Sequence, residues 1–176
     1  MKDIQYFCRK FAWLHLGFNR EIVNRLFKRE GAIIGDNVAI NSNILTSESY
    51  LIEIGNNVTI SDHVSFVTHD NSISKALPGS GNLFGKIIIG NNCFIGAHTI
   101  LMYGVTLAEN VIVASGSVVV KSVTEPGVII GGNPAKIIGK VDVFGEKSKD
   151  KAIRVASLSN EEKKSLLLGT DKLVVR

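Results

Sequence analysis

Residues 89–124 read IGNNCF, IGAHTI, LMYGVT, LAENVI, VASGSV and VVKSVT when cut in sixes from Ile89. The same cut gives IGDNVA and INSNIL from Ile34, then IGNNVT, ISDHVS and FVTHDN from Ile54. All eleven blocks open on Ile, Leu, Val or Phe, and the second residue is Gly, Ala, Ser or Asn in eight of them. A period of six is neither the 3.6 of a helix nor the 2 of a simple strand, so it predicts short extended segments joined by tight turns. In ten of the blocks the fourth position is Asn37, Asn43, Asn57, His63, His69, Asn92, His98, Gly104, Asn110 or Gly116. These residue types tolerate a positive φ best. With one apolar residue per block pointing inward, stacked coils bury a continuous core that no single block could bury alone. The expected fold is all-β, a solenoid of parallel β coils.

Composition agrees. The chain has 176 residues, which suits one compact domain. Seventeen are glycine but only three are proline, a balance unlike that of a disordered linker. Ile and Val number 21 and 18, which favours extended backbone. The net charge of +4 is carried by the ends. Residues 1–30 hold seven cations against three acids, and residues 141–176 eight against six, whereas residues 31–140 hold five against seven. A slightly acidic scaffold argues against nucleic acid as a partner. Cys8 and Cys93 are too few for a disulfide framework and fit a reducing compartment. The longest apolar run near the N-terminus, Phe11 to Leu16, is interrupted by His15. Neither a signal peptide nor a spanning segment is expected, so a cytoplasmic location is.

The repeat resembles that of the hexapeptide-repeat acyltransferases, and bacterial sugar and polysaccharide O-acetyltransferases in particular. The resemblance covers about residues 31–140. It implies a left-handed parallel β-helix of triangular section over those residues, a helical cap over residues 1–30 and an extension over residues 141–176. It also implies acetyl-CoA as co-substrate, no metal, a carbohydrate acceptor, and a homotrimer whose active sites lie between subunits.

The pattern breaks in two places. TSESYLIE, residues 46–53, is a short insertion between coils. After Val67-Thr68-His69 the fifth position is Asp70, a charge, and residues 71–86 run NSISKALPGSGNLFGK before the repeat resumes. A long excursion from a rigid scaffold is more often functional than accidental. In the family such a loop leaves the helix with the catalytic His at its base, which implies His69 as the base. Gly131-Gly132-Asn133-Pro134-Ala135-Lys136 matches the turn that closes the family's β-helix near bound acetyl-CoA.

Acetyl transfer to a hydroxyl needs a group that takes the hydroxyl proton and donors for the developing oxyanion. Imidazole suits the first task near neutral pH. Of the four histidines, His15 has no motif around it, and His63 and His98 sit in uninterrupted hexads, where they read as turn residues. His69 stands at the loop exit. A base also needs an orienter on its other ring nitrogen. Asp70 is adjacent, and the resemblance aligns Asn41 and Glu48 with residues that contact the acceptor or support the His. The sugar acetyltransferase branch has an Asp-Asp pair where Glu48-Ser49 stands, so this chain departs from it there. The resemblance also implies Ala97, Ser115 and Gly116 against the pantetheine arm and thioester, with Lys121 and Lys136 near the phosphates. Cys93, at a small apolar position of the repeat, reads as core.

At the ends, Ile4, Phe7, Phe11, Leu14, Phe18 and Ile22 recur at helical spacing among seven cations. They suggest a cap, or a basic aromatic surface against the inner face of an anionic membrane. Ser159-Asn160-Glu161-Glu162 is a capping-box pattern that opens a helix Gly169 could end. Three alternatives remain open: N-acetylation of an amino sugar, a non-catalytic scaffold, and a zinc enzyme of the γ-carbonic anhydrase type. The last requires three histidines. Two of its ligands are separated by four residues, whereas five separate His63 from His69.

Overall fold

The computed structural model describes residues 20–42 and 46–174, with side chains from residue 24 onward. They form two compact units divided after Val141. In the first unit, helix α1 (Arg20–Arg29) precedes β1 (Ile33–Ile34) and β2 (Ala39–Ile40). Next come β3 (Ile52–Ile54), β4 (Thr59–Ile60) and β5 (Ser65–Phe66). The loop carries β6 (His69–Asp70), the short helix α2 (Ile73–Ala76) and β7 (Leu83–Phe84). The coils resume with β8 (Ile87–Ile89), β9 (Phe94–Ile95), β10 (Ile100–Leu101), β11 (Thr106–Leu107), β12 (Ile112–Val113) and β13 (Val118–Val119). They close with β14 (Val128–Gly131) and β15 (Lys136–Lys140).

Strand pairing converts this order into a prism. Strands β1, β3, β8 and β11 make one sheet, β2, β4, β9, β12 and β14 a second, and β5, β10 and β13 a third, all in parallel. From β3 to β13 the coil strands visit the three sheets in turn, so each circuit is one coil and each hexad one side. Ile89 pairs with Leu107, Ile95 with Val113 and Leu101 with Val119, each eighteen residues on. Earlier, Ile34 pairs with Ile54, and the two surplus residues belong to the 46–53 insertion. Antiparallel β15 folds back on β14 and ends the stack.

The hexad explains the core. All eleven first positions, Ile34 through Val119, are buried. The fifth position is buried as well, at Val38, Val58, Val64, Cys93, Thr99, Val105, Val111 and Ser117. Two side chains per block therefore point inward, not one. The pleat carries alternate residues inward, so the residue two before each first position is inward too. Burying one Ile or Val is worth about 1.5–3 kcal/mol, and the columns repeat that gain coil after coil. Burial pushes the Cys93 thiol upward, against hydrogen bonds from Val111 and Asn110, as fits a core residue.

The turns behave as the residue types predict, with one exception. Asn37, Asn57, His63, Asn92, His98, Asn110, Gly104 and Gly116 all have positive φ. Asn43 lies outside the described residues. His69 is the exception: it lies in extended β6, paired with Phe84 of β7, because the chain leaves the coil there instead of turning its corner.

Phe27 of α1 joins the buried core, and Asn24 Nδ2 donates to Val38 O at 2.9 Å, so α1 packs on the first coil. Of the apolar series at helical spacing, Ile4 to Phe18 lie outside the described residues. The second unit holds most of α3 (Val141–Ser148) and all of α4 (Asn160–Leu168). Ser159 Oγ accepts from Glu162 N at 3.2 Å, and Glu162 Oε2 accepts from Ser159 N at 2.7 Å. The capping box is thus complete, and those bonds hold the Glu162 carboxyl below its ordinary value. Helix α3 had no counterpart in the sequence reading.

Candidate functional site

The third and first sheets meet at a corner where β5 ends and the loop departs. Thr68, the next inward residue after Phe66, is 2 % exposed, an inward position that carries a hydroxyl. His69 follows it. The 46–53 insertion reaches the same corner from the coil below, and its extra length brings Glu48 beside the imidazole. His69 Nδ1 lies 2.9 Å from Glu48 Oε2, with side-chain exposures of 41 % and 12 %. Glu48 Oε2 also accepts from Thr68 Oγ1 at 2.7 Å. Phe84, across the β6–β7 pair, sets its ring 5.6 Å from the His69 ring.

The electrostatics follow. Burial alone would raise the Glu48 carboxyl, but hydrogen bonds from Ser47, Thr68 and His69, with the charge of His69, outweigh it and hold the group below its ordinary value. Glu48 is therefore a carboxylate at neutral pH and can only accept. Nδ1 must then carry the proton, which leaves the Nε2 lone pair as the basic one. A histidine half open to solvent and fixed in that tautomer can take a proton from a hydroxyl placed at Nε2.

The hydrogen bonds of Asp70 run into the loop. Its Oδ1 accepts from Ser72 N at 2.7 Å, and bonds from Ser72 and then Tyr103, with the charge of His69, hold its carboxyl below the ordinary range. It fixes the start of the loop. Asn71 Nδ2 donates to Asn82 Oδ1 at 2.6 Å and ties the loop's two ends together.

The remaining sequence-predicted residues separate into two groups. Lys121 follows β13 on the same corner as His69, two coils along, on the order of 10 Å at the usual strand spacing. Lys121 and Lys136 line one hollow of about 290 Å³ together with Thr124 and Glu125, so the structure brings these two cations together. Asn41, Ala97, Ser115 and Gly116 lie instead on the corner between the second and third sheets. There Asn41 N donates to Ile60 O and Gly116 N to Ala97 O, both at 2.8 Å. His63 and His98 share that corner, with ring centroids 4.9 Å apart and planes 15° from parallel. The three histidines of the zinc alternative are thus divided between two corners. Among the described residues, no three His, Cys, Asp or Glu side chains are grouped to hold a metal ion.

Thr46 and Thr68 were missed in the sequence. Thr68 stands at the third position of its hexad, which is polar in most blocks, as at Asp36, Asn56, Asp62, Asn91 and Glu109, so the pattern carried no signal for it. Thr46 gave none either, because an insertion has no phase to violate.

Known proteins bear on this geometry. The family described as "Bacterial transferase hexapeptide (six repeats)" matches residues 86–121. The chain is 40% identical over 159 residues to Protein CapG of Staphylococcus aureus, covering 87% of this chain and 91% of that protein. It is 32% identical over 110 residues to the galactoside O-acetyltransferase of Escherichia coli, covering 62% of this chain and 54% of that one. The chain therefore spans about half the length of the second relative. A solved structure of galactoside acetyltransferase in complex with coenzyme A superposes with a TM-score of 0.60 at 23% identity, covering 82% of this chain and 83% of that chain. Among the described residues, no helix is long and apolar enough to cross a membrane.

Proposed function

This chain belongs to the hexapeptide-repeat acetyltransferase family, and from that premise we propose that it moves acetyl from acetyl-CoA to a hydroxyl of a carbohydrate. The acceptor we favour is a surface polysaccharide or its precursor. The observation that carries the reading is the His69–Glu48 pair at the root of the loop. His69 Nε2 takes the hydroxyl proton as that oxygen attacks the thioester carbonyl. The imidazolium so formed is stabilised by the Glu48 carboxylate, 2.9 Å from Nδ1. The C–S bond then breaks, and the proton on Nε2 passes to the departing thiolate. Backbone N–H groups of the coils supply the donors for the oxyanion. The coils wind with the left hand of the family.

Coenzyme A bound to the galactoside enzyme supports the choice of donor. Lys121 and Lys136, facing one hollow, are suited to its phosphates as flexible point charges. The pantetheine would run along Ala97 and Ser115-Gly116. Those residues and His69 stand on different corners of one prism, so they meet only where a corner of one copy faces the other corner of a second. This favours the homotrimer with shared sites. The acceptor contacts assigned to Asn41 and Asp70, and a membrane contact through residues 1–30, belong to the same reading.

Two experiments test it. Thermal unfolding with coenzyme A at a hundred times its dissociation constant should show about 2.7 kcal/mol of added stability; an unshifted transition at millimolar ligand would remove the donor. Sharing of sites is tested by mixing. Two separately inactive variants, His69→Ala and Ala97→Trp, should regain activity when refolded together, and no recovery would place each site within one copy.

A further inference from the structure

Around Glu48 the hydrogen bonds close on themselves. Glu48 N donates to Thr46 Oγ1 at 3.2 Å. Thr46 Oγ1 and Thr68 Oγ1 are 2.7 Å apart, and Thr68 Oγ1 is 2.7 Å from Glu48 Oε2. Each hydroxyl has a single proton, and a carboxylate has none, so the directions are forced. Thr68 donates to Glu48, which leaves the proton between the two hydroxyls to come from Thr46. Thr46 in turn accepts from the backbone of Glu48. The 3.4 Å approach of Thr46 Oγ1 to Glu48 Oε2 is then a near contact whose proton is already committed. The circuit runs from the backbone N–H of Glu48 through two buried threonines to its own carboxylate, where His69 Nδ1 and Ser47 are the other donors.

We propose that Thr46 and Thr68 are positioning residues for the transfer reaction, holding the Glu48 carboxylate so that it fixes the tautomer and basicity of His69. The inference rests on His69 as the base. Hydrogen bonds in series polarise one another, so Thr46 strengthens the donor power of Thr68. Thr68 takes up part of the carboxylate's charge. Without it, Glu48 would pull harder on Nδ1–H and stabilise the imidazolium, raising the pH at which His69 becomes a base. The coil needs only an inward side chain of this size at residue 68, which valine would fill. The hydroxyl is what the carboxylate requires.

The titration needs no acceptor. The histidine ring signals are titrated by NMR in the wild type, Thr68→Val, Thr68→Ser and Thr46→Val, with His69→Ala identifying the His69 signal by its loss. Neutral His69 should be the Nδ1–H tautomer in the wild type. Thr68→Val should raise the His69 midpoint by about half a pH unit, Thr68→Ser should restore it, and Thr46→Val should move it in the same direction by less. Thermal unfolding of each variant separates these shifts from loss of fold, which the serine variant is built to survive. Superimposable titrations for wild type and Thr68→Val would overturn the inference. Acetyl transfer by His69→Ala at the wild-type rate would overturn the underlying reading instead, whatever the titrations show.

Discussion

His63, His69 and His98 occupy the same phase of the hexad, yet two corners of the prism put them to different use. On the corner between the second and third sheets, His63 and His98 adopt φ of 55° and 60° and stack on each other. They do what asparagine does elsewhere in the ladder, where Asn37, Asn57 and Asn92 are linked side chain to side chain at 2.7 Å. On the corner between the third and first sheets, His69 escapes the turn because the chain leaves for the loop. It stays extended and finds a carboxylate. Residue type and phase are shared, and what differs is the neighbouring coil. An insertion placed Glu48 under one histidine and not under the others.

The largest expected effect breaks that comparison directly. His69→Ala should lose about 10²–10⁴-fold in kcat, while His63→Asn and His98→Asn, which keep the positive-φ preference, should stay within about twofold. Steady-state acetyl transfer to a carbohydrate acceptor measures all three. Comparable losses at all three positions would mean that the corners are not distinct. The next effect sets column against loop. Ile95→Ala, in the centre of a buried column, should cost about 2–5 kcal/mol in denaturant unfolding, and Leu77→Ala on the exposed loop within about 0.5 kcal/mol.

Glycines sharpen the contrast further. A Cβ on Gly96 would lie 2.5 Å from Ser115 N, whereas one on Gly81 would meet nothing within 4 Å. Gly96→Ala should therefore lower Tm by several degrees and Gly81→Ala leave it in place. The smallest effect is the pH dependence contributed by Glu48. Its folded pKa lies below its ordinary value, so its share of stability is present above that value and fades as pH falls through the folded pKa. Unfolding followed from pH 7 into the acid range should lose less stability in Glu48→Gln than in the wild type.

The fold was open to reading because a solenoid is local. Each inward Ile at a first position meets the matching residue of the next coil, so an ungapped repeat specifies both the strands and their pairing partners. The turns followed from Asn and Gly for the same reason. The site was half open. His69 was marked by Asp70 breaking the phase and by the loop behind it, and Lys121 and Lys136 were singled out by resemblance, though nothing in the spacing said that they share a hollow. Glu48 was singled out only by resemblance, and Asp70, its rival, was the nearer in sequence. Choosing between them depends on side-chain direction across a bend, which adjacency does not encode.

Sequence alone determined the parallel coils, the columns of Ile and Val that fill them and the point at which the chain departs, because the repeat and its interruption are properties of neighbours along the chain. Only the tertiary structure decided that both the first and fifth residues of a hexad face inward, that His69 is strand and not turn, and that its partner is the carboxylate twenty-one residues before it. Those outcomes depend on how one coil is stacked on another. A two-residue surplus in the lower coil shifts a carboxylate to a corner, and the low dielectric beside a buried threonine makes that short distance count.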